Sequence, residues 1–341
     1  MPAILTVTLN PTVDLALEAD RLISEGKNRA RLCSVQGGGG GINVARCVAR
    51  LGGTALALHT CGREVGARLD RLLDEEGMAH RRIVVDAETR ESFVVGEAQT
   101  GHSFHIVPAG TPLTAAETGR CMDAILDAAQ HFSYLAFSGS VPPGLPEDFC
   151  AEVVRRLRPY GTRIVLDIAG AQLQAVLRER VFLIRLDRQE AAALVGRPID
   201  GFPAARAAND HLLGLGAADH AVTTVGALGA VYSDHEAHHQ LSAPPPPLPP
   251  RSDACAGDSL IGALTYRLTE GDSCLRACEY GVAAAAATVL LPGTEVFQRS
   301  TVDALVAEVR TQTVMREIAT PPVFAPGQRR QTARADGDRG P

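Results

Sequence analysis

A single carboxylate at the predicted start of a helix is the residue of this chain best suited to catalysis. Asp258 follows Cys255, Ala256 and Gly257 and precedes an apolar, Ala-rich segment at 260–268, which predicts a helix beginning here. The first backbone N–H groups of such a helix have no acceptor within it, and with the helix dipole they attract anions. The carboxylate could take a proton from a hydroxyl while these N–H groups hold a phosphoryl group.

A second segment, far upstream, has the composition of a turn that contacts a ligand. Five consecutive glycines at 37–41 are followed by Ile42, Asn43 and an apolar pattern at helical spacing. Glycine runs cost backbone entropy and contribute no packing, so they suit a place where the main chain touches a ligand. A flexible linker is the alternative, but such linkers carry serine and polar neighbours. We therefore expect a second helix N-terminus, with Asn43 placed to hydrogen-bond a polyol.

Composition excludes several classes of function. The 341 residues suffice for one main domain with an appendage, and the formal net charge of −6 gives no basic character to attract nucleic acid. No apolar run reaches membrane length, and no charged signal segment precedes the first strand-like run. The eight cysteines lack paired metal-ligand spacing, which favours a reducing compartment. We expect a cytoplasmic protein with neither a nucleic-acid partner nor a membrane partner.

The order of apolar segments predicts an α/β fold with a mostly parallel central sheet flanked by helices. Strand-like runs at 134–137, 163–167, 181–185 and 220–224 are separated by helix-like stretches. Ligands bind at the carboxyl ends of the strands in such sheets. Asp167, Asp187 and Thr224 fall at those ends and are site candidates by position.

Two other segments, at about 12–35 and 88–110, alternate in polarity without helices between them and predict a small separate sheet. We expect it to close over the site as a lid and to join two copies into a homodimer, since an exposed apolar face needs a partner. The proline-rich stretch at 244–250 predicts a rigid connector, although a recognition ligand for another domain is an alternative. The polar, Arg-rich residues 321–341 predict a disordered tail after one folded unit at 1–320.

With these segments placed, the chain resembles the ribokinase-like sugar kinases, the PfkB family, and within it the phosphofructokinase and tagatose-6-phosphate kinase group. The likeness runs from about residue 3 to 310. The matching segments are residues 8–14, 25–29, 37–46, 138–144, the pair Asp187 and Glu190, and Ala256-Gly257-Asp258. The resemblance implies a ribokinase-like kinase domain with a small β-sheet lid, ATP as the phosphoryl donor, Mg²⁺ as the metal, and a sugar phosphate as the acceptor.

The resemblance also implies roles for individual residues. Asp258 would be the general base, and the N–H groups around Ala256 and Gly257, next to Cys255, would form the anion hole. The residues that would hold the sugar hydroxyls are Asp14, Gly39, Gly40 and Asn43. Those that would grip the substrate's own phosphate are Lys27, Arg29 and Arg90, with Ser138 or Gly139. A dianionic substrate favours such convergent cations with forked donors. On the nucleotide side the implied residues are Asp187, Thr224, Gly226 and Gly229, with Glu190 organising Mg²⁺.

Three departures from the family pattern fall on the nucleotide side. Cys255 replaces the first glycine of Gly-Ala-Gly-Asp, which would cost about 1–3 kcal/mol if its φ must be unusual. A helix N-terminus also favours the thiolate form of a cysteine, so a reactive thiol at Cys255 that switches activity is an alternative. Arg185-Leu186-Asp187 replaces Lys-Pro-Asn, which adds a negative charge near the phosphates, and residues 226–229 replace Gly-Pro-x-Gly.

These observations leave several hypotheses. The first is an ATP-dependent 6-phosphofructokinase that phosphorylates the 1-hydroxyl of fructose 6-phosphate, with fructose 1-phosphate or tagatose 6-phosphate as alternative acceptors. The second is a sugar-phosphate-binding regulatory protein whose phosphoryl-transfer half has weakened. Asp258 favours the enzyme, because a sensor has little use for a base aimed at the acceptor hydroxyl. Cys255 and Asp187 depart from the family pattern, so the hypothesis of a regulatory protein is retained.

Overall fold

The computed structural model describes residues 3–246 and 248–316. The predicted tail at 321–341, the end of the predicted 1–320 unit and Pro247 of the proline-rich connector lie outside these ranges. A ten-stranded sheet forms the centre of the fold. Its strands are β1 (Ile4–Thr8), β4 (Ala55–Cys61), β5 (His80–Val84), β8 (Tyr134–Ser138), β9 (Arg163–Asp167), β10 (Val181–Leu186), β11 (Ala218–Thr224), β12 (Ala230–Ser233), β13 (Ala237–Ser242) and β14 (Arg310–Met315).

The strand order in this sheet is β14-β13-β12-β11-β10-β9-β8-β1-β4-β5. In this order, the neighbouring strands β11, β10, β9, β8, β1, β4 and β5 run parallel to one another. β12, β13 and β14 extend the sheet beyond β11 in antiparallel fashion. The helices are α1 (Gly40–Arg50), α2 (Arg63–Glu75), α3 (Ala115–Ala129), α4 (Phe149–Leu157), α5 (Gly170–Val176), α6 (Arg188–Val195), α7 (Phe202–Gly214), α8 (Ala256–Thr269), α9 (Cys274–Thr288) and α10 (Arg299–Val306). The predicted α/β class with a mostly parallel sheet is confirmed.

Both faces of the main sheet are covered. In β1, Ile4 packs into one apolar cluster while Leu5 and Val7 pack into the cluster on the other face. This explains why the strands are nearly continuous apolar runs. The carboxyl ends of β1, β8, β9 and β10 lie along one edge, so Asp167 at the end of β9 comes within 3.1 Å of Ser138 at the end of β8, and Asp187 follows the next strand, β10.

The four-stranded sheet contains β2 (Thr12–Ala19), β3 (Arg31–Gly38), β6 (Arg90–Glu97) and β7 (Ser103–Ile106), in the order β3-β2-β6-β7. β2, β6 and β7 fall within the segments at about 12–35 and 88–110 that predict a small separate sheet, whereas β3 continues past residue 35 to Gly38, into the glycine run. Paired residues share a face, so one face carries Asp14 beside Ser92. The opposite face, called here the outer apolar face, carries Leu15, Leu17, Leu32, Val35, Phe93, Val95, Phe104 and Ile106.

The connection between β2 and β3 lies at the far end of the small sheet. Thr12 pairs with Gly38 at the end next to the main sheet, and Glu18 pairs with Arg31 at the other. In the ranges that the structure describes, none of the helices is long and apolar enough to cross a lipid bilayer.

Candidate active site

The first turn of α8 has the geometry of an anion site. Cys255 precedes the helix with φ 60° and ψ 4°, in the left-handed region. The N–H of Ala256 already donates to the carbonyl of Asp253 at 3.3 Å. The next two N–H groups, of Gly257 and Asp258, have no preceding helical turn to accept from them. Of the N–H groups predicted to form an anion hole, that of Ala256 therefore has an acceptor, whereas those of Gly257 and the neighbouring Asp258 are left without one by this turn.

Asp258 is held by two side chains from the strand and helix that face α8. Asn43 Nδ2 donates to its Oδ2 at 2.9 Å, and Ser138 Oγ lies 3.1 Å from its Oδ1. Burial, followed by the nearby charge of Asp167, raises the pKa of Asp258 to about 6, while the two hydrogen bonds oppose the rise. A carboxylate with a pKa close to neutrality is suited to accept a proton during a reaction.

The orientation of Asn43 is fixed by Arg46, which lies one turn further along α1. Arg46 Nη1 donates to Asn43 Oδ1 at 2.6 Å, so the amide NH₂ group faces Asp258. Arg46 is in turn held by Glu76, whose Oε2 accepts from Arg46 Nε at 2.7 Å, and by the carbonyl of Gly37. The buried guanidinium therefore positions the amide that contacts the base.

The glycine run makes room for the same site. A Cβ on Gly38 would lie 2.0 Å from Asp14 Oδ2, and one on Gly40 would lie 2.5 Å from Ser138 Oγ. Gly39 between them has φ 113°, which only glycine adopts readily. The sequence attributed this run to contact with a ligand. The structure adds that neighbouring protein atoms already require glycine at these positions.

The small sheet contributes a polar pair and a cation. Ser92 Oγ donates to Asp14 Oδ1 across the β2–β6 pairing. Arg90, at the start of β6, donates from Nη2 to the carbonyl of Asn10 at 2.9 Å and to Ser140 Oγ at 3.3 Å. Its Nη1 donates to the carbonyl of Pro108 at 2.6 Å, and the guanidinium is half-buried at the junction of the two sheets.

Two predicted phosphate ligands are not brought to this site within one chain. Lys27 and Arg29 are exposed in the connection between β2 and β3, at the far end of the small sheet. Asp14 and Ala19 are five strand residues apart, about 16 Å at the usual rise per residue. Ser138, predicted beside the substrate's phosphate, instead lies against Asp258, whereas Ser140 lies against Arg90. Gly139, with φ 95°, lies between these two serines.

On the nucleotide side, Arg185 is the central cation. Its Nη1 lies 2.9 Å from Asp167 Oδ1, and its Nη2 donates to Thr224 Oγ1 at 2.9 Å. The Arg185 and Asp167 side chains are only 12% and 9% exposed. A Cβ on Gly257 would lie 2.8 Å from Arg185 Nη1, so the guanidinium rests against the first turn of α8. A positive charge thus lies beside the N–H groups of the first turn of α8.

Asp187 and Glu190 form the cap of α6. Asp187 Oδ1 accepts from the N–H groups of Gln189 and Glu190, both at 2.8 Å, and Glu190 Oε2 accepts from the N–H of Asp187 at 2.8 Å. Aspartate is as good a helix cap as asparagine, which accounts locally for the replacement seen in the sequence. Burial and the charge of Asp167 raise the pKa of Glu190 to about 7.

The altered loop after β11 keeps its backbone turns. Gly226 has φ 59° and Gly229 has φ 115°, and a single 3₁₀ turn, Gly226–Leu228, joins them. A Cβ on Gly229 would lie 2.0 Å from the carbonyl of Leu241. Although this loop lacks the family's proline, both glycines therefore still occupy positions where the backbone conformation favours glycine.

The alternative of a reactive thiolate at Cys255 is not favoured by the surroundings of this side chain. Its Sγ contacts Asn43 Nδ2 at 3.3 Å and the carbonyl of Thr294 at 3.6 Å. Burial raises the pKa of this thiol well above its usual value, and the neighbouring carboxylates Asp258 and Asp14 raise it further. The helix N-terminus does not overcome this desolvation, so Cys255 is a neutral packing group.

The fold and this arrangement together define a class of protein. A carboxylate at a helix N-terminus, at the carboxyl edge of a parallel sheet and beneath a small second sheet, is the architecture of the ribokinase-like sugar kinases. A profile of the pfkB family carbohydrate kinases matches residues 7–300. The chain belongs to the pfkB family of carbohydrate kinases, which are ATP-using phosphotransferases acting on a hydroxyl group. The family predicted from the sequence is confirmed.

Comparison with individual proteins agrees. The chain is 35% identical over 302 residues to the ATP-dependent 6-phosphofructokinase isozyme 2 of Mycobacterium tuberculosis, covering 89% of this chain and 88% of the relative. It is 31% identical over 278 residues to the 1-phosphofructokinase of Xanthomonas campestris pv. campestris, covering 80% and 86%. The crystal structure of phosphofructokinase-2 from Escherichia coli in complex with potassium superposes with a TM-score of 0.84 at 30% identity, covering 90% and 99%.

Sequence reasoning missed part of the site. Arg185 appeared only as a departure from the family pattern, and Asp167 only as a candidate by position. Ser92, Ser140 and Asn10 were not singled out. The signal for Arg185 was present, because a cation in a strand two residues before a helix cap needs a carboxylate partner if it is buried. The other three depend on the junction between the two sheets, which sequence alone does not give.

Proposed function

We propose that this protein is an ATP-dependent 6-phosphofructokinase that transfers a phosphoryl group to the 1-hydroxyl of fructose 6-phosphate. The observation that carries the proposal is the placement of Asp258 between Asn43 and Ser138, beside the unpaired N–H groups of α8. The names of the Mycobacterium tuberculosis relative and of the superposed Escherichia coli structure support the choice of reaction.

The steps follow from the geometry. Asp258 takes the proton of the acceptor hydroxyl, and its raised pKa keeps that transfer close to balance at neutral pH. The N–H groups of Gly257 and Asp258 hold the oxygens of the transferring phosphoryl group. Arg185, resting on Gly257, adds a positive charge there. Asp14 and Asn43 orient the sugar hydroxyls, and Arg90 attracts the 6-phosphate with its charge and with the Nη1 hydrogen that its contacts to Pro108, Asn10 and Ser140 leave available.

The residues around Glu190 fit a divalent cation. Glu190 lies near Asp167 and Asp187, and their like charges contribute to its raised pKa. Oxygen-only ligands of this kind suit Mg²⁺, which would be held through Glu190, partly by waters. When bound, Mg²⁺ neutralises charge on the nucleotide phosphates. The chain's own groups then position the nucleotide through Thr224 and the loop at 226–229.

Specific observations bear on the alternative functions. A 1-phosphofructokinase is favoured by the named Xanthomonas relative, and a tagatose-6-phosphate kinase would use the same cations. A catalytically weakened sensor was suggested by Cys255 and Asp187. The salt bridge of Arg185 and the cap formed by Asp187 favour the enzyme, because each replacement has a local partner that keeps the nucleotide side intact.

We also propose that the protein is a homodimer through the outer apolar face of the small sheet. Leu32, Phe104 and Ile106 on this face are 51%, 42% and 56% exposed, and such patches mark interfaces. A structure of Escherichia coli phosphofructokinase-2 is described as a tetrameric inhibited form. In a lid-to-lid dimer, Lys27 and Arg29 would reach the partner's site rather than their own. A reducing cytoplasm suits the eight free cysteines.

The dimer has its own test. Replacing Phe104 and Ile106 together with aspartate should convert the dimer to a monomer in sedimentation velocity. Mixing an Asp258→Asn chain with a Lys27→Ala/Arg29→Ala chain should restore activity above either parent, since one site of the mixed dimer is then complete. Monomeric wild-type protein, or no complementation, would contradict this arrangement.

The reaction is tested by a coupled assay of ADP release with Mg-ATP against fructose 6-phosphate, fructose 1-phosphate and tagatose 6-phosphate. We expect the highest kcat/KM with fructose 6-phosphate and ³¹P NMR signals of fructose 1,6-bisphosphate. A preference for fructose 1-phosphate would assign the alternative kinase. Absence of turnover with all three would contradict the enzyme.

A further inference from the structure

A cluster of metal-ligating side chains lies outside the active site, where α2 packs on the edge of the main sheet. His59 comes from β4, Asp70 from α2 and His80 from the first position of the edge strand β5. One ligand atom of each residue lies within 4.8 Å of the other two. His59 is fully buried, and the Asp70 and His80 side chains are only 10% and 12% exposed.

The outward-facing atoms of this cluster already have partners. His59 Nδ1 lies 2.9 Å from the carbonyl oxygen of Thr60. A carbonyl only accepts, so Nδ1 carries the hydrogen and Nε2 is a bare lone pair. His80 Nε2 lies 3.1 Å from Asp74 Oδ1, so it donates to that carboxylate and leaves Nδ1 bare in the neutral ring. Both histidines thus have the outer hydrogen bonds that orient metal ligands.

The inward-facing atoms of the three side chains lie close together. His59 Nε2 and His80 Nδ1 face each other at 3.0 Å, and Asp70 Oδ1 lies 3.7 Å from His59 Nε2. Two lone pairs at this separation repel unless a positive group lies between them. Among the described residues, Asp70 Oδ1 is a buried oxygen without a hydrogen-bond partner. The other oxygen, Oδ2, accepts from Arg82 Nη1 at 2.8 Å and from Cys61 Sγ at 3.5 Å.

A proton and a metal ion would satisfy this cluster to different degrees. A proton between the two rings pairs the nitrogens but leaves Asp70 Oδ1 buried and unpartnered, which costs about 1–3 kcal/mol. A metal ion pairs all three atoms. Tetrahedral zinc with bonds of about 2.1 Å separates two ligand nitrogens by about 3.4 Å, so the rings need to open by only a few tenths of an ångström.

We propose that His59, Asp70 and His80 bind a divalent transition metal ion of the zinc class. Two imidazoles and one carboxylate suit Zn²⁺ or Co²⁺ rather than Mg²⁺, which prefers oxygen ligands. The Asp70 and Asp74 carboxylates, less the charge of Arg82, leave a net negative site for the cation. The ion ties α2 to the edge strand β5. This site is separate from the Mg²⁺ ligands around Glu190 and does not depend on the proposed sugar substrate.

The test is metal binding by the full-length protein, with excess Mg²⁺ present to occupy oxygen-only sites. Zn²⁺ is titrated by calorimetry, and Co²⁺ by its visible absorption, which is intense for tetrahedral nitrogen ligation. We expect one ion per chain and a higher Tm when Zn²⁺ is bound. His80→Ala should abolish both effects. Asp74→Asn changes only an exposed carboxylate that orients His80 and should weaken binding by about 10–100-fold.

Two controls make the result decisive. His211→Ala removes an exposed histidine of α7 and should bind Zn²⁺ like the wild type. Cys61→Ser tests sulfur ligation, and loss of a thiolate charge-transfer band in its Co²⁺ spectrum would identify Cys61 as a fourth ligand. No uptake of Zn²⁺ or Co²⁺ by the wild type, or equal uptake by wild type and His80→Ala, would overturn the proposal in favour of a shared proton.

Discussion

The acceptor side and the nucleotide side of the candidate site are built differently. On the acceptor side, Asp258, Asn43 and Asp14 stand where the family pattern places them, and each is held by a hydrogen bond to a neighbour. On the nucleotide side, Arg185 and Asp187 replace the family's residues, and each has acquired a local structural partner. The comparison indicates that a residue that departs from a family motif impairs function only when no neighbouring group in the structure compensates for the replacement.

The two sides share one side chain. Ser138 Oγ lies 3.1 Å from Asp258 on the acceptor side and 3.1 Å from Asp167, the partner of Arg185, on the nucleotide side. A hydroxyl has one hydrogen, so it donates to one carboxylate at a time. This link explains why the charge of Asp167 contributes to the raised pKa of Asp258.

The largest effect is expected from Asp258→Asn, which breaks the acceptor side alone. Loss of a general base should lower kcat by about 10²–10⁴-fold. The amide keeps the shape of the carboxylate, so the dissociation constant of fructose 6-phosphate by calorimetry should change little. Wild-type kcat in this variant would remove Asp258 from its assigned role.

Arg185→Met tests whether the salt bridge between Arg185 and Asp167 stabilises the nucleotide side. It leaves the Asp167 carboxylate buried without its partner, and we expect the free energy of unfolding to fall by about 3–5 kcal/mol in urea denaturation. The double variant Asp167→Asn/Arg185→Met should recover part of that loss, since no uncompensated charge remains. Additive losses in the double variant would contradict the pairing.

Arg90→Ala separates substrate recognition from nucleotide binding. Removal of a charge-assisted hydrogen bond worth about 1.5–3 kcal/mol should raise the KM for fructose 6-phosphate by about 10–100-fold. The KM for ATP should stay within a factor of about two, because Arg90 lies at the junction with the small sheet. A matched control is Arg68→Ala, whose partner is the half-buried Glu91. An equal rise in the two KM values would place Arg90 outside the phosphate site.

Cys255→Gly probes the strained turn of the nucleotide side. The left-handed backbone costs a non-glycine residue about 1–2 kcal/mol. Glycine lets the turn rotate its N–H groups more easily toward the phosphoryl group. We expect kcat/KM for Mg-ATP to rise by about three- to tenfold, which is part of the roughly 5–30-fold that this energy corresponds to. Cys255→Ala, which keeps the Cβ, should behave like the wild type, and an equal gain in both variants would attribute the effect to the sulfur.

The smallest effect is a shift of the pH profile. Asp258 must be ionised to accept a proton, so log kcat/KM should fall as the pH drops through about 6, the pKa of this carboxyl in the structure. The hydrogen bond from Ser138 lowers that pKa, so Ser138→Ala should move the acid limb to higher pH. An acid limb that stays in place, or moves to lower pH, would contradict the contact between Ser138 and the base.

Much of the fold could be predicted from local patterns. The strand at 163–167 was located to the residue, and α1 and α8 were expected from glycine turns before periodic apolar segments. Parallel strands buried on both faces give continuous apolar runs, and these are easy to recognise. The small sheet was recognisable because its strands alternate in polarity without intervening helices.

The remaining features depend on contacts between distant elements. The pairing of Arg185 with Asp167 requires the register of β9 against β10, and the position of Lys27 and Arg29 requires the direction of β2. A helix N-terminus favours a thiolate at Cys255, but burial, which the sequence does not give, raises the pKa of this thiol. The cluster of His59, Asp70 and His80 has no recognisable spacing, since its members come from three elements that meet only in the folded chain.

On the nucleotide side, we expect Arg185 and Asp187 to replace the family's residues without loss of phosphoryl transfer. The most direct measurement is a pair of experiments on one preparation of wild-type protein. Calorimetry measures binding of fructose 6-phosphate, and a rapid-quench single turnover with Mg-ATP measures phosphoryl transfer. The account predicts tight binding together with stoichiometric formation of fructose 1,6-bisphosphate. Binding without phosphoryl transfer would show that Arg185 and Asp187 are structural repairs of a site that no longer catalyses.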